Sequence, residues 1–400
     1  MRLSTSQIYQ AASSVINQRQ ADLSRLQGKL ASGKRIDDPA DDPAGAAVAS
    51  LVRSNLSANE QFGQNRDVAI QRLSITEAAL GNVVDNLQSI REVLVAAGNA
   101  SYTNDNRKVL ATQLRESLDS LVNLANSKDG TGGYLFSGYL DHSAPFVRNG
   151  LSVSYVGDEG SRVVNVAAGR TINAGVNGAE VFQRSLNGNG LVATSAGATN
   201  TGTGVIDNGT ITSVTALTGY TYSVQFQTTP TGLTYDVVDT TNSTTVSTGT
   251  PYVSPAIISV PGFSVPIQGT PANGDTFTIA PSTSRDVFSI ISSAITLLET
   301  PVTTTAAPLD NGLRVALADI DRAFGQVTLN RSIVGARLAE IDLVSEASDT
   351  TDLTQRKTLG KIEDTDYAAT VSEYSANQTA LQAALATYSK MAKLSLFDYI

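Results

Sequence analysis

The last helical stretch of the chain constrains its fold more than any other feature. Apolar residues recur there at every seventh position, and a second set follows four residues behind the first. The two sets are Tyr367, Tyr374, Leu381 and Tyr388, and Val371, Gln378, Leu385 and Ala392. A mean spacing of about 3.5 residues predicts a helix with one apolar seam that needs a partner along its whole length. Residues 367–392 contain no Gly or Pro, so the predicted helix is roughly 40 Å long.

The opposite end of the chain carries a matching seam. Its members are Tyr9, Ile16, Leu23 and Leu30 at every seventh position, with Ala12, Arg19 and Leu26 between them. The spacing leaves two interpretations open, a core helix inside a bundle and a helix that packs against neighbouring subunits. We expect the two terminal helices to pair, and the residues predicted to form the assembly interface are Tyr9, Ile16, Leu23, Leu26, Leu30, Tyr367, Val371, Tyr374, Leu381, Leu385 and Tyr388.

Composition and charge exclude several classes of protein. The chain has 400 residues and a net charge of −9, which disfavours nucleic-acid binding. No apolar run is long enough to predict a membrane span, and the N-terminus lacks the apolar core of a secretory signal. Cysteine is absent, so disulfides and thiolate metal sites are excluded. We expect no cofactor, no metal, and neither nucleic acid nor membrane as a partner.

Turn signals separate the first seam from the next helical tract. Gly33 predicts the end of the first helix, and Asp41 or Asp42 before Pro43 predicts the start of the second. The aspartates of segment 37–42 lack the central Gly and closing Glu of a calcium loop, which disfavours a metal site. The glycine-rich segment 129–133 lacks the Gly-Lys-Ser/Thr ending of a phosphate-binding loop and predicts a turn.

Periodicity predicts the elements between the two ends. Heptad patterns predict helices over 44–97, from 106, from 286 and over 313–341. The pattern weakens at 345–354, which predicts a break before the final helix. Alternation within 151–155 and 164–166, around the turn 157–160, predicts one hairpin. Between Leu186 and Ser284 there is no Lys or Arg, and Thr, Ser, Gly and Asn dominate.

Alternating runs in that stretch, whose only charged residues are four aspartates, predict an antiparallel β domain, with hairpin turns at Asn208-Gly209 and Asn273-Gly274 and a long loop at 187–203. The predicted fold class is therefore mainly α with an inserted all-β domain. Its N- and C-terminal segments form a long antiparallel helical bundle or coiled coil. The predicted domains are 1–45 with 355–400 as a terminal coiled coil, 46–185 with 285–354 as a helical bundle with a hairpin, and 186–284 as the β domain.

Several motifs resemble the flagellin family. Segment 30–50, Leu-Ala-Ser-Gly-Lys-Arg-Ile-Asp-Asp-Pro-Ala-Asp-Asp-Pro-Ala-Gly-Ala-Ala-Val-Ala-Ser, is similar to the N-terminal signature of the family, and Ser-Ile-Thr-Glu-Ala-Ala-Leu at 74–80 continues the likeness. The opening 2–9, the ending 394–400 and the prolines at 39 and 43 look like members of the family that join the hook to the filament. The likeness covers about residues 1–140 and 310–400.

The resemblance implies a structural subunit of the bacterial flagellum and not an enzyme. It implies an extracellular location reached without a cleaved signal peptide, and terminal segments that become ordered on assembly. The implied partners are further copies of the chain, the hook-proximal hook-associated protein, filament flagellin, and a cytoplasmic export chaperone on the C-terminal helix. Filament flagellin itself and a flagellin-like surface adhesin remain as alternatives. A hydrolase is disfavoured because His142 is the only histidine and the insert has no clustered carboxylates.

Overall fold

The computed structural model describes residues 5–393, so the likeness noted for residues 2–4 and 394–400 lies outside the described residues. The described helices are α1 Thr5–Ser32, α2 Pro43–Ala97, α3 Asn104–Ala125, α4 Gly178–Phe182, α5 Val287–Glu299, α6 Ala307–Glu363 and α7 Tyr367–Lys393. The predicted fold class, terminal helices around an all-β middle, is confirmed.

Strands occupy the middle of the chain. They are β1 Phe146–Asn149, β2 Ser152–Tyr155, β3 Val163–Ala167, β4 Arg170–Asn173, β5 Ser185–Leu186, β6 Val192–Ala196, β7 Val205–Ile206, β8 Thr210–Ile211, β9 Tyr222–Thr229, β10 Gly232–Asp239, β11 Thr244–Pro251, β12 Ala256–Val260, β13 Phe263–Gln268, β14 Thr276–Pro281 and β15 Ser284–Arg285. Short strand pairs flank the larger sheets of the insert.

The chain divides into two compact units. The first contains the residues up to Gln64 together with those from Leu343, and the second contains Asn65–Asp342. Each boundary falls inside a helix, α2 in one case and α6 in the other. The predicted division into three domains stays a prediction.

Helix ends follow the turn signals in the sequence. Gly33 has a φ of 71°, and its N–H donates to the Lys29 carbonyl at 2.9 Å, which ends α1. Asp42 accepts a hydrogen bond from the Gly45 N–H at 2.9 Å and caps α2, with Pro43 in the first turn. The seam of α2 is also as predicted, since its heptad leucines at 73, 80, 87 and 94 are fully buried.

Helix α6 runs unbroken through residues 345–354, so the break predicted there is wrong. The segment has a weak apolar pattern but contains neither Gly nor Pro. Its threonine hydroxyls donate to carbonyls one turn earlier, from Thr350 to Glu346 at 3.1 Å and from Thr354 to Thr350 at 2.9 Å. A polar stretch of this kind weakens a seam without ending a helix. The break comes instead at residues 364–366, between α6 and α7.

Two hairpins stand where one was predicted. Strand β1 pairs with β2, and β3 pairs with β4. Gly150 and Gly169, with φ of 64° and 72°, lie in the two tight turns, where a left-handed backbone is needed. The predicted pairing of 151–155 with 164–166 is therefore wrong, because each strand pairs across its own glycine turn.

The insert contains two antiparallel sheets. The larger has the order β11-β10-β9-β14-β6, and in the smaller β13 pairs with β12 and with both β7 and β8. Residues of both sheets form one core, in which Phe226, Phe263 and Phe277 are fully buried. At the entrance and exit of the insert, β5 pairs with β15. The antiparallel β domain predicted from composition and alternation is thus present.

Two details of the insert differ from the prediction. Segment 187–203 is not only a loop, because it contains β6, an edge strand of the larger sheet. A turn exists at Asn273-Gly274, but it connects β13 and β14, which are not paired with each other. The turn predicted at Asn208-Gly209 is wrong, because β7 and β8 pair with successive parts of β13 and run in the same direction. Asn-Gly permits a left-handed backbone locally, whereas the choice of strand partner depends on which apolar faces meet.

The glycine-rich segment 129–133 is a turn closed by Asp129, as predicted. Its carboxylate accepts hydrogen bonds from the N–H groups of Thr131 and Gly133 and forms an ion pair with the buried Arg72. Burial raises the pKa of Asp129, but the Thr131 hydrogen bonds and the charge of Arg72 outweigh it and hold that pKa below its usual value. The carboxylate therefore stabilises the fold at neutral pH.

We expect Asp129→Asn to lower the free energy of unfolding by about 3 kcal/mol, because it leaves the Arg72 guanidinium buried without a counter-charge. Urea unfolding followed by circular dichroism measures this. Asp105→Asn is the matched control, since the Asp105 side chain is 91% exposed. The control should shift stability by no more than about 0.5 kcal/mol. Equal effects of the two substitutions would contradict the assignment.

Candidate assembly interface

Helices α1 and α7 pack against each other in antiparallel directions. The rings of Tyr9 and Tyr388 meet edge to face with centroids 6.0 Å apart. Further along, Arg19 Nη1 donates to Asn377 Oδ1 at 2.6 Å. Partners on α7 therefore come earlier in the chain as those on α1 come later. The pairing of the two ends that the seams predict is present in this structure.

On α1 the predicted seam coincides with the covered face. Leu26 is buried, and the other predicted positions, Tyr9, Ile16, Leu23 and Leu30, are half-buried. Val15, between two seam positions, is 50% exposed. The heptad spacing therefore identifies which side of α1 is covered within the chain.

On α7 the covered face is rotated relative to the predicted seam. Tyr374, Leu381 and Tyr388 are half-buried, but the face is completed by Thr370, Asn377 and Ala384, with Ala380 also half-buried. The prediction missed Thr370, Asn377 and Ala384 because it chose the series one position later, in which Val371 and Leu385 are more apolar. Their own recurrence at every seventh residue is the signal that identifies them. Ala392 has no described side chain.

Three predicted residues of α7 remain uncovered within the chain. Tyr367, Val371 and Leu385 are 54%, 49% and 43% exposed, and we refer to them as the outer stripe. Between residues 367 and 393 the only charged residues are Glu373, Lys390 and Lys393. A sparsely charged helix with a second apolar stripe can pack against another helix on that side.

The two connectors next to this helix pair are bonded to each other. We call residues 33–42 and 363–366 the joint. Arg35 N–H donates to the Glu363 carbonyl at 2.5 Å, and Thr365 N–H donates to the Gly33 carbonyl at 2.9 Å. The Glu363 side chain is 7% exposed and forms an ion pair with Arg53 of α2. The backbone thus holds the end of α1 against the start of α7, and an ion pair ties the joint to α2.

Arginine and aspartate side chains complete the joint. Arg35 Nη2 donates to the Ile362 carbonyl at 2.8 Å and lies 3.4 Å from Asp42. The Gly45 N–H, with help from Arg35, holds the pKa of Asp42 below its usual value. The N–H groups of residues 38 and 37 do the same for the pKa of Asp41. These carboxylates therefore close turns, and no group of metal-ligating side chains occurs among the described residues.

Gly33 has two reasons to be glycine. Its φ of 71° is left-handed, and a Cβ built on it would lie 2.8 Å from the Tyr367 hydroxyl. Any side chain at this position strains the backbone and displaces the first ring of α7. The end of α1 and the start of α7 therefore constrain each other through one residue.

Comparison with known proteins gives this arrangement a family. Residues 3–141 match the bacterial flagellin N-terminal helical region, and residues 317–400 match the bacterial flagellin C-terminal helical region. The crystal structure of Xanthomonas campestris FlgL is 36% identical and covers 76% of this chain and 98% of its own, with a TM-score of 0.70. This chain belongs to the flagellin family. Both terminal helices and the joint lie within the matched regions.

Other relatives within the flagellin family extend the comparison. The flagellar junction protein FlgL from Legionella pneumophila is 29% identical, covers 79% of this chain and all of its own, and has a TM-score of 0.72. Flagellar hook-associated protein 3 of Escherichia coli is 26% identical over 100% of this chain and 99% of its own length. The protein of the same name from Salmonella typhimurium is 37% identical over 46% of this chain and 57% of its own length.

No helix within residues 5–393 combines the length and apolar character of a membrane span. His142, the single histidine, has a side chain that is 95% exposed in a turn beside Asp141. Neither residue contributes to the helix pair or the joint.

We expect Gly33→Ala to loosen the helix pair, because it adds a left-handed backbone penalty of about 1–2 kcal/mol and pushes Tyr367 away. Amide hydrogen exchange of residues 367–388 should become faster. Gly28→Ala is the control, since a Cβ there meets nothing within 4 Å and Ala favours the helix. Unchanged exchange in Gly33→Ala would exclude the proposed coupling of α1 to α7.

Acid should weaken the joint by protonating Asp42, which accepts the Gly45 hydrogen bond. Because the folded-state pKa of Asp42 lies below its ordinary value of 3.8, its contribution is complete above that pH and is lost as the pH falls through the folded pKa. The protection of the Gly45 amide, taken as its exchange rate relative to the intrinsic rate at each pH, should therefore fall below about pH 4. Asp42→Asn keeps an oxygen acceptor but removes this titration, so it should abolish the fall in protection. An identical pH profile in the variant would assign the change to another group.

Proposed function

We propose that this chain is a structural subunit of the bacterial flagellum that joins the hook to the filament. The observation that carries the proposal is likeness over the full length. A relative that aligns with all of this chain is called flagellar hook-associated protein 3. The Legionella structure, described as a flagellar junction protein, aligns over its whole length. Relatives with these names are structural proteins, so the proposed role is assembly without catalysis.

The terminal helices supply the proposed means of assembly. Once α1 covers one face of α7, the outer stripe of Tyr367, Val371 and Leu385 is left for neighbouring copies. Val15 offers an exposed apolar contact on α1. Repeated contacts between different faces of identical subunits build rings or helical arrays. The interface residues on the covered face, Tyr9, Ile16, Leu23, Leu26, Leu30, Tyr374, Leu381 and Tyr388, would hold the helix pair that presents this stripe.

The proposed partners follow from a position between hook and filament. They are further copies of this chain, the hook-proximal hook-associated protein and filament flagellin. A cytoplasmic chaperone that covers the C-terminal helix before export would shield the outer stripe from water. We place the assembled protein outside the cell, reached by the flagellar export apparatus without a cleaved signal peptide.

The two alternatives are not favoured. Filament flagellin and a flagellin-like adhesin would both use related terminal helices. However, a relative that aligns with this chain from end to end is named for the hook-associated position. The number of copies per flagellum separates the candidates, because a junction needs about a ring of subunits and a filament needs thousands.

A deletion strain tests the proposed function. We expect cells that lack this chain to carry hooks without filaments and to shed flagellin into the medium, as seen by electron microscopy and immunoblotting. Complementation with the unaltered chain should restore the filaments. Normal filaments in the deletion strain would overturn the proposal.

Complementation with outer-stripe variants tests the means of assembly in the same strain. Val371→Gln/Leu385→Gln makes the stripe polar, and we expect at least a tenfold drop in filaments per cell, with unchanged helix content of the purified protein. Ser372→Gln/Ala386→Gln places the same side chains one position further along, at exposed sites off the stripe. This control should restore filaments fully. If both variants complement equally, the outer stripe is not an assembly contact.

A further inference from the structure

The apolar layers between α1 and α7 do not fix their own alignment. Both seams repeat every seven residues, so the contact of Tyr9 with Tyr388 implies an equivalent layer of Ile16 with Leu381. A shift by one heptad would place Ile16 against Tyr374 instead. That layer is again apolar against apolar. Burial alone therefore separates the observed register from a shifted one only weakly.

One polar contact interrupts this repetition. Arg19 is the charged residue among the seam positions of α1, and its guanidinium donates to Asn377 at 2.6 Å. Asn377 is half-buried on the covered face of α7. A hydrogen bond from a charged donor is stronger than a neutral one. In helix pairs a single polar seam position sets register at some cost in stability.

A shift by one heptad destroys this contact in either direction. Arg19 would face Ala384, which has no acceptor, or Thr370, whose hydroxyl already lies 3.0 Å from that of Thr365. Asn377 would face Ala12 or Leu26 and lose its donor. Within the described helices, the observed register is thus the one that pairs the exposed Arg19 side chain with Asn377.

We infer that the Arg19–Asn377 pair sets the register of α1 on α7. The joint anchors one end of the helix pair at Gly33. Arg19 lies 14 residues away, about 21 Å along α1, and acts as a second anchor. Arg19 and Asn377 are positioning residues, since their pairing decides how far along α1 each layer of α7 lies and hence the axial position of the outer stripe. The inference concerns helix alignment and not the hook–filament role, so failure of either leaves the other standing.

Disulfide trapping in the full-length chain tests the inference, because the chain has no cysteine of its own. Ile16→Cys/Leu381→Cys reports the observed register, and Ile16→Cys/Tyr374→Cys reports a shift by one heptad. Disulfides require Cα atoms about 4.4–6.8 Å apart, which separates the two cases. After mild oxidation, peptide mass spectrometry should find at least about tenfold more of the aligned disulfide than of the shifted one.

Adding Arg19→Ala/Asn377→Ala should lower that ratio at least fivefold. Arg19→Lys retains a charged donor and should keep the original ratio. Gln18→Ala/Gln382→Ala removes two exposed polar side chains off the seam and should also leave it unchanged. A ratio that survives Arg19→Ala/Asn377→Ala overturns the inference, because the joint alone would then fix the register. Absence of both disulfides from the parent chain would overturn it too, since the helices would not be paired.

Discussion

An apolar stripe along a helix of 27 residues has to be covered, because tertiary packing and not helix propensity holds such a helix together in water. The chain meets this constraint by bringing its two ends together. Leu26 of α1 is buried at the contact between the two helices, and Tyr374 and Leu381 of α7 are half-buried there. The joint and the position of the outer stripe both depend on that antiparallel contact.

The joint explains how the ends stay together. Two connectors far apart in sequence exchange backbone hydrogen bonds at Gly33, Arg35, Glu363 and Thr365. Loop closure over so long a separation costs conformational entropy, and local bonds of this kind help to offset it. The insert has a core of its own, formed by its two sheets.

The two sides of α7 differ in what they contact. One side carries the contact between the Tyr9 and Tyr388 rings and the Arg19–Asn377 bond inside the chain. The other keeps apolar side chains exposed on a helix with few charges. In an isolated subunit this exposed apolar area is unfavourable, and in the assembly proposed above neighbouring copies would bury it.

The sequence by itself determined the helices, their ends at Gly33 and Pro43, the all-β insert and the pairing of the two terminal seams, because these depend on local periodicity and turn chemistry. Tertiary structure alone decided which strands pair around Gly150 and that α6 continues through 345–354. It also decided that Thr370, Asn377 and Ala384 face α1 while Val371 and Leu385 do not. Residues one position apart on a helix differ by about 100° in direction, so a partner selects between heptad series that sequence alone ranks by hydrophobicity.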